Sequence, residues 1–444
     1  MNVDSTRIAR LHVLIGGAHA GLVHRARGRL TFTYDDAYID EPNATPLSIC
    51  MPLSSSSYSG KRVSSFLSGL LPDSDAVRAR WAAEFATRDT PFDLLANVGE
   101  DCAGAVQLVR DDRLAGIASG GVRWMSDREV GNWIRTLRDD PAGWLHDGNS
   151  GQFSLAGAQS KFALHFADGK WGRAYGSSPT THIIKLAANH FPQHEVNEHL
   201  TLRLARSVGL VAADSEIRSF DGEQVVVVAR FDRIDLGNGL LRVHQEDMCQ
   251  ALGHPPEMKY ENHGGPSAFD IARLLRSRSS APEDDLQRFV DAIVFNWAIA
   301  NSDAHAKNYS LLLSGSQCRL APLYDLASAL PYVSPRPAAP TPGELQGSRL
   351  KLAMSVAGVY RLADIRLRDW AELFSDLGLD VDEQVARAGD LVSTIAREVD
   401  AVCSDDVKAF GNPMAERWAD AIRRRANSCI ALLDGRGYRT SHRP

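Results

Sequence analysis

Two carboxylates and one amide in the second half of the chain have types and spacing suited to phosphoryl chemistry. The stretch Asn301-Ser302-Asp303-Ala304-His305-Ala306-Lys307-Asn308 follows an apolar run ending near Ala300 and contains D-x-x-x-x-N. That spacing lets a kinase catalytic loop present a carboxylate to the attacking hydroxyl and an amide oxygen to a metal. Two residue types at a fixed interval recur by chance about once in a chain of this size, so context has to carry the assignment. Context comes from Leu323-Tyr324-Asp325-Leu326-Ala327, which follows a predicted strand, Tyr309 to Leu313, and a Ser-Gly turn. Loop, hairpin and then an aspartate between apolar residues is the kinase order of base, metal-binding asparagine and metal-binding aspartate. Magnesium takes hard oxygen ligands, a few from side chains and the rest from phosphates and water. Asn308 and Asp325 supply such oxygens, and Asp303 would orient the hydroxyl and finally accept its proton. His305 reads as a structural hydrogen-bonder in the loop rather than a base.

Upstream, Lys185 ends the apolar segment His182-Ile183-Ile184-Lys185, where a strand lysine could hold phosphate, and Glu198 in the helix after it is a candidate partner. A cation about 4 Å from a phosphate in a partly shielded site contributes on the order of 4 kcal/mol before desolvation is counted. Ser154-Leu155-Ala156-Gly157-Ala158-Gln159-Ser160-Lys161 is rich in small residues and leads into a strand. With one central glycine it is neither a Walker motif nor a three-glycine kinase loop, and alone it reads as a turn. The cluster His190, His194, Glu195, Glu198 and His199 raises a zinc protease and fails the test: position 198 is Glu, and Pro192 interrupts any helix joining His190 to His194.

These residues need elements to place them. Residues 1 to 115 alternate in short segments such as Arg29 to Tyr34, with a buried strand expected at Gly104 to Val109 and one helix at Ser74 to Phe85. A polar linker is expected over 116–149. Strands dominate again over 150–245, at Phe162 to Phe166, His182 to Leu186 and Gln224 to Ala229, interrupted by a helix over Glu195 to Val208 that stops at Gly209. From 246 to 444 the pattern is helical, with helices expected at Gln245 to Leu252, Ala268 to Arg276, Asp284 to Ala300, Asp364 to Leu377, Asp382 to Val402 and Pro413 to Leu433. In the Asp284 helix Phe289, Ile293 and Trp297 form a stripe to be buried. Pro331 to Pro342 carries too many prolines for a helix and should be a surface loop.

The 444 residues exceed one ordinary core, and 44% hydrophobic with 23% charged residues is a soluble globular composition. A formal net charge of -6 speaks against an autonomous DNA binder. The six cysteines form no CxxC pair, which fits reduced thiols rather than a zinc ribbon or redox motif. No apolar run is long enough to span a bilayer and no secretory leader is recognised, so a cytoplasmic protein is expected.

The segments "FSLAGAQSKFAL", "THIIKL", "VVARFDR", "HQEDMCQALG", "NSDAHAKN", "PLYDLAS" and "KLAMSVAG", with "YDDAYI", "PLSICMPL", "FLSGLLPD" and "GEDCAGAVQL" before them, resemble the ordered motifs of HipA-type kinases over residues 30 to 360. The resemblance implies an α+β, bilobal protein-kinase-like fold, akin to phosphatidylinositol-kinase-type architecture. It divides into a β-rich N-terminal subdomain (1–115), a linker (116–149), a β-rich N-lobe with phosphate loop and hinge (150–245) and an all-α C-lobe (246–444). It makes Asp303 catalytic, places Asn308 and Asp325 on Mg2+, and assigns Lys185 to the phosphates of ATP. Ala229, Arg230 and Phe231 become the hinge against adenine, although Ala229 replaces an acidic residue often found there. Ser154 falls where such kinases autophosphorylate, with Lys161 nearby. Ala156, Gly157, Ala158 and Gln159 of the loop, and His305 and Lys307 beside Asn308, complete the nucleotide-binding set.

The activity implied is that of a serine/threonine protein kinase acting as the toxin of a toxin–antitoxin pair. Its implied substrate is an aminoacyl-tRNA synthetase, its partner a HipB-like helix-turn-helix antitoxin, and its link to DNA indirect, through that antitoxin. Two rival readings use the same residues: a catalytically silent corepressor or binding module, against which the intact Asp303, Asn308, Asp325 and Lys185 speak, and a small-molecule or lipid kinase of the same fold.

Overall fold

The computed structural model describes residues 9–143, 154, 156–157, 159–187, 191–237, 239–336, 344–406 and 412–435. The chain forms two compact units. The first comprises Met1–Leu186, Arg218–Lys259 and Ser310–Ala321, and the second Ala187–Ile217, Tyr260–Tyr309 and Pro322–Pro444.

The first unit opens with a sheet of β1 (Arg10–Ile15), β2 (Ala18–Ala26), β3 (Arg29–Tyr34), β4 (Ser57–Ser59) and β5 (Val106–Val109), in the order β4-β3-β2-β1-β5. Leu11 pairs with Val23 and Val23 with Phe32, so the period of two lays these buried side chains in one row. The helix expected at Ser74 to Phe85 runs Asp75–Glu84, capped by the Ser74 side chain. Two further helices, Lys61–Gly69 and Pro91–Val98, join it. The second starts with Pro91 in its first turn and Thr90 as a side-chain cap, a local signal legible in the sequence.

A second sheet holds β6 (Gly121–Met125), β7 (Lys161–Ala167), β8 (Lys170–Tyr175), β9 (His182–Lys185), β10 (Ser215–Phe220, which enters this unit at Arg218) and β11 (Glu223–Ala229), in the order β10-β11-β9-β7-β8-β6. The linker expected over 116–149 is therefore corrected: it carries strand β6 and the helix Asp127–Asp139. That helix starts with a Ser126/Glu129 capping box and stacks Trp133 on Phe162 of β7 with ring centroids 4.2 Å apart.

Two small sheets complete the unit, the hairpin β12 (Arg233–Asp235) with β13 (Leu240–Arg242), and the ladder β14 (His244–Asp247), β15 (Ser310–Ser314) and β16 (Gln317–Leu320). The helix expected at Gln245 to Leu252 is corrected in its first half. Glu246 pairs with Leu311 in the β14–β15 ladder, and Asp247 caps a short helix, Met248–Ala251. The residues are good helix formers, but the available strand partner overrides their propensity.

The second unit is built from the helices His194–Ser207, Ala268–Arg278, Pro282–Ala298, Leu367–Asp376, Val381–Asp405 and Pro413–Leu433, with one hairpin of β17 (Lys351–Val356) and β18 (Val359–Arg361). Within the lobe expected to be all-α, the strand expected at Tyr309 to Leu313 is present as β15 with β16 completing its hairpin, and the end of β14 and the β17–β18 hairpin are added. Phe289, Ile293 and Trp297 are buried as their spacing requires, and Trp297 packs on Trp370 with centroids 5.0 Å apart. The expected surface loop from Pro331 begins inside the fold, because Pro331 and Tyr332 are buried in a short 3-10 turn; positions 337–342 lie outside the described residues. Among the described residues no helix is long and apolar enough to cross a membrane.

Candidate active site

In the second unit, the Pro282–Ala298 helix delivers the chain to Ala300, whose φ of +53° turns it sharply. Two amides then fasten the turn. Asn301 donates its backbone N–H to the Asn296 carbonyl at 2.8 Å and its side-chain N–H to Asn296 Oδ1 at 3.0 Å, while its Oδ1 accepts from the Asp303 backbone at 3.1 Å. The Asp303 carbonyl accepts from the His305 backbone at 2.8 Å and from Asn308 Nδ2 at 2.9 Å. The five-residue spacing thus closes on itself. With the Asn308 amide nitrogen committed to that carbonyl, its oxygen is turned the other way, as a cation ligand requires. The Asp303 side chain is 65% exposed, whereas His305, Lys307 and Asn308 are buried. His305 lies 4.0 Å from the Asp303 carboxylate and packs edge-on against Tyr260.

Asp325 is held by stitches on either side of it. Leu323 donates to the Val211 carbonyl and accepts from Ala213, both at 2.8 Å. Ser328 donates from its backbone to Asn197 Oδ1 at 3.0 Å and from its hydroxyl to the Ile299 carbonyl at 2.6 Å. Between these anchors Tyr324 donates its phenol to the Lys307 carbonyl at 2.6 Å, tying the Asp325 segment to the Asp303–Asn308 loop. Asp325 itself has φ of +57°, a left-handed conformation that costs a non-glycine residue about 1 kcal/mol or more, and aspartate is among the few side chains that tolerate it. The surrounding bonds over-determine that conformation. Asp325 and Asn308 are hard oxygen donors of the kind magnesium takes, so the chemistry of this pair fits that ion.

In the first unit, Lys161 and Lys185 are directly opposed across β7 and β9 and are only 7% and 6% exposed. Like charges on one rung are unfavourable unless an anion answers them. A Cβ at Gly157 would fall too close to the Lys161 ammonium, which would have to shift, and the φ of +104° favours glycine there. Gln159 donates to the Leu186 carbonyl at 2.6 Å. Ser154 is fully buried, its hydroxyl donating to the Leu70 carbonyl at 2.6 Å and its N–H to the Asp101 carbonyl at 2.9 Å. Ala156 lies in the same segment, and Ala158 is outside the described residues.

Of the hinge residues, Ala229 pairs with His182 at the end of β11 and Phe231 follows in a turn. Arg230 is differently engaged. Its guanidinium binds both oxygens of Asp232 at 3.0 and 2.7 Å, Thr180 Oγ1 at 2.9 Å and the Cys102 carbonyl at 2.8 Å. Its side chain thus belongs to a buried ion network with Asp101, Arg233 and Arg242, which engages four of its five N–H donors. The sequence reading missed this network, and also missed Tyr260 and Asn301. Asp232 and Arg233 stood in the quoted "VVARFDR" segment, but no local pattern marks the long-range partners.

Against known families, the model for the HipA-like C-terminal domain matches residues 153–403 and that for the HipA N-terminal domain matches residues 11–109. A Sinorhizobium fredii protein named "Putative kinase Y4mE" is 34% identical over 404 residues, covering 90% of this chain and 93% of that protein. The Shewanella oneidensis "Serine/threonine-protein kinase toxin HipA" is 31% identical over 306 residues, covering 65% of this chain and 67% of that protein. The solved complex of HipA, HipB and operator DNA from Shewanella oneidensis contains a chain that shares the fold, with a TM-score of 0.80 at 24% identity, covering 96% of this chain and 98% of that one. Matched over most of its length by both domain families and by a relative spanning 90% of it, the chain belongs to the HipA family.

Proposed function

We propose that this protein is an ATP- and Mg2+-dependent serine/threonine protein kinase. The observation that carries the proposal is the closed Asp303–Asn308 loop, with its carboxylate exposed and its Lys307 carbonyl bonded to the residue before Asp325. On this proposal Asp325 and Asn308 hold magnesium, which when bound supplies positive charge to the phosphate oxygens. Lys161 and Lys185 act on the ATP phosphates, and the backbone around Ala229 and Phe231 faces adenine. Asp303 orients the acceptor hydroxyl and takes its proton as the oxygen–phosphorus bond forms and ADP leaves. Catalysis by such parts is positioning and charge stabilisation, which suits a loop fixed before substrate arrives.

Autophosphorylation at Ser154 is part of the proposal. Because that hydroxyl is buried against Leu70, transfer to it requires the loop to leave its seat, and a phosphate of about -1.5 to -2 charge would prevent its return. The kinship with a named kinase toxin, and the fold shared with the toxin of a HipA–HipB–DNA assembly, support a cytoplasmic toxin restrained by a HipB-like helix-turn-helix antitoxin. The proposed target is an aminoacyl-tRNA synthetase, whose phosphorylation would arrest translation and growth. Incubation with labelled ATP, magnesium and a host lysate tests the activity: label should enter protein and vanish with Asp303→Asn. Label confined to lipid or nucleotide, or an undiminished rate in the variant, would refute it.

A further inference from the structure

Asp303 has its main chain fastened on both sides, yet its exposed side chain would turn freely about two bonds without a partner. Among the described residues, the hydrogen bond to its carboxylate comes from Tyr260, whose phenol donates to Oδ1 at 2.6 Å. That length is typical of a hydroxyl bonded to an ionised carboxylate and marks one of the stronger classes of hydrogen bond. His305, at 4.0 Å, is too far to share the task.

Tyr260 is itself fixed before any ligand binds. Its ring meets the buried His305 ring edge-on at 5.0 Å and that of His263 at 5.7 Å. Its carbonyl accepts from the His263 and Gly265 backbones, both at 3.0 Å. The next residue, Glu261, accepts from the backbone and hydroxyl of Ser355 on β17 at 2.5 and 2.9 Å. The phenol is thus carried by an element anchored independently of the Asp303 loop and reaches it across 43 residues of sequence.

We infer that Tyr260 is the positioning residue of the transfer: it engages Oδ1 of Asp303 and so leaves Oδ2 to receive the acceptor's proton. The inference rests on the kinase proposal and deepens it. In the step, the acceptor oxygen bonds to the γ-phosphorus, the bond from that phosphorus to the ADP oxygen breaks, and the hydroxyl proton passes to Oδ2. Tyr260 exchanges no proton; it sets the angle at which the carboxylate meets the hydroxyl, and small errors in such geometry are costly in rate.

The test compares wild type, Tyr260→Phe, Tyr260→Ala and Asp303→Asn by release and protein incorporation of phosphate from [γ-32P]ATP with magnesium, alongside thermal melts. Tyr260→Phe keeps the ring against His305 and loses only the hydroxyl. It should lower kcat about ten- to hundredfold with the KM for MgATP within about twofold and the melting temperature down by no more than about 5 °C. Tyr260→Ala should be no more than a few-fold slower than the phenylalanine variant. A Tyr260→Phe enzyme with wild-type kcat, beside an inactive Asp303→Asn, would overturn the inference alone and reduce Tyr260 to packing. A wild type without ATP-dependent turnover would overturn the kinase proposal together with it.

Discussion

Asp101→Asn should destabilise the first unit by about 3–5 kcal/mol, because it strips one counter-charge from a network that cannot reach water. The buried carboxylate accepts from Arg233 and Arg242, each at 2.9 Å through Oδ1, and from the Thr180 backbone and hydroxyl at 3.0 and 2.6 Å through Oδ2. Arg230 adds its charge at 3.6 Å. Burial alone would raise this carboxyl; Arg233, Arg230 and Arg242 together reverse that and hold it below the usual carboxylate range. A group so depressed stabilises the fold above the unfolded carboxylate range and loses that contribution as the pH falls through its folded value. Asparagine keeps the shape but leaves Arg230, Arg233 and Arg242 facing Asp232 alone. For a unit of this size the loss corresponds to a fall in Tm of roughly 6–20 °C. Differential scanning fluorimetry at neutral pH reads it directly. Adding Arg242→Gln removes one surplus cation, so the double variant should recover about 1 kcal/mol or more of the loss. A single variant melting within about 2 °C of wild type would show that the network carries no such energy.

Glu246 should make stability fall with rising pH. It is buried, accepting from the Ile49 backbone at 2.7 Å and the Ser48 hydroxyl at 2.6 Å, and burial pushes its carboxyl from 4.5 up to about 8 against the pull of those two donors. Between those values the folded state holds a proton that the unfolded chain has released, so up to about 5 kcal/mol is lost across the window. Glu246→Gln should flatten the Tm profile between about pH 5 and 8.5; an unchanged slope would sink the assignment. Lys185→Met should weaken MgATP binding about tenfold or more, seen as a smaller nucleotide-induced rise in Tm. Equal protection in both proteins would remove Lys185 from the phosphate site.

The parts of the molecule legible in the sequence are those whose signal is local. Phe289, Ile293 and Trp297 announce their buried stripe, and the Pro413–Leu433 helix runs between its expected ends, because a period and a cap lie within a few residues of each other. Asp303 and Asn308 were findable for the same reason, since the bond that closes their loop spans five residues. Glu246 shows the opposite case: its neighbours favour a helix, and only pairing with Leu311 makes them a strand. Tyr260 and the Asp101 network act through partners chosen by the fold, so no spacing advertised them, whereas Asn301 bonds to Asn296 and Asp303 within five residues and was a local signal left unread. Ser126 and Glu129 stand at capping-box spacing, a local signal that the expectation of a linker left unread.

The β6 strand and its following helix bear on where the polypeptide can be cut. A fragment begun at residue 150, where the family resemblance would place the start of the catalytic portion, forfeits the strand that seals β8 and the indole that shields Phe162. Its sheet would end in an open hydrogen-bonding rim beside bare aromatic surface, which invites self-association. The workable cut lies before Gly121, so that the fragment carries its own border strand.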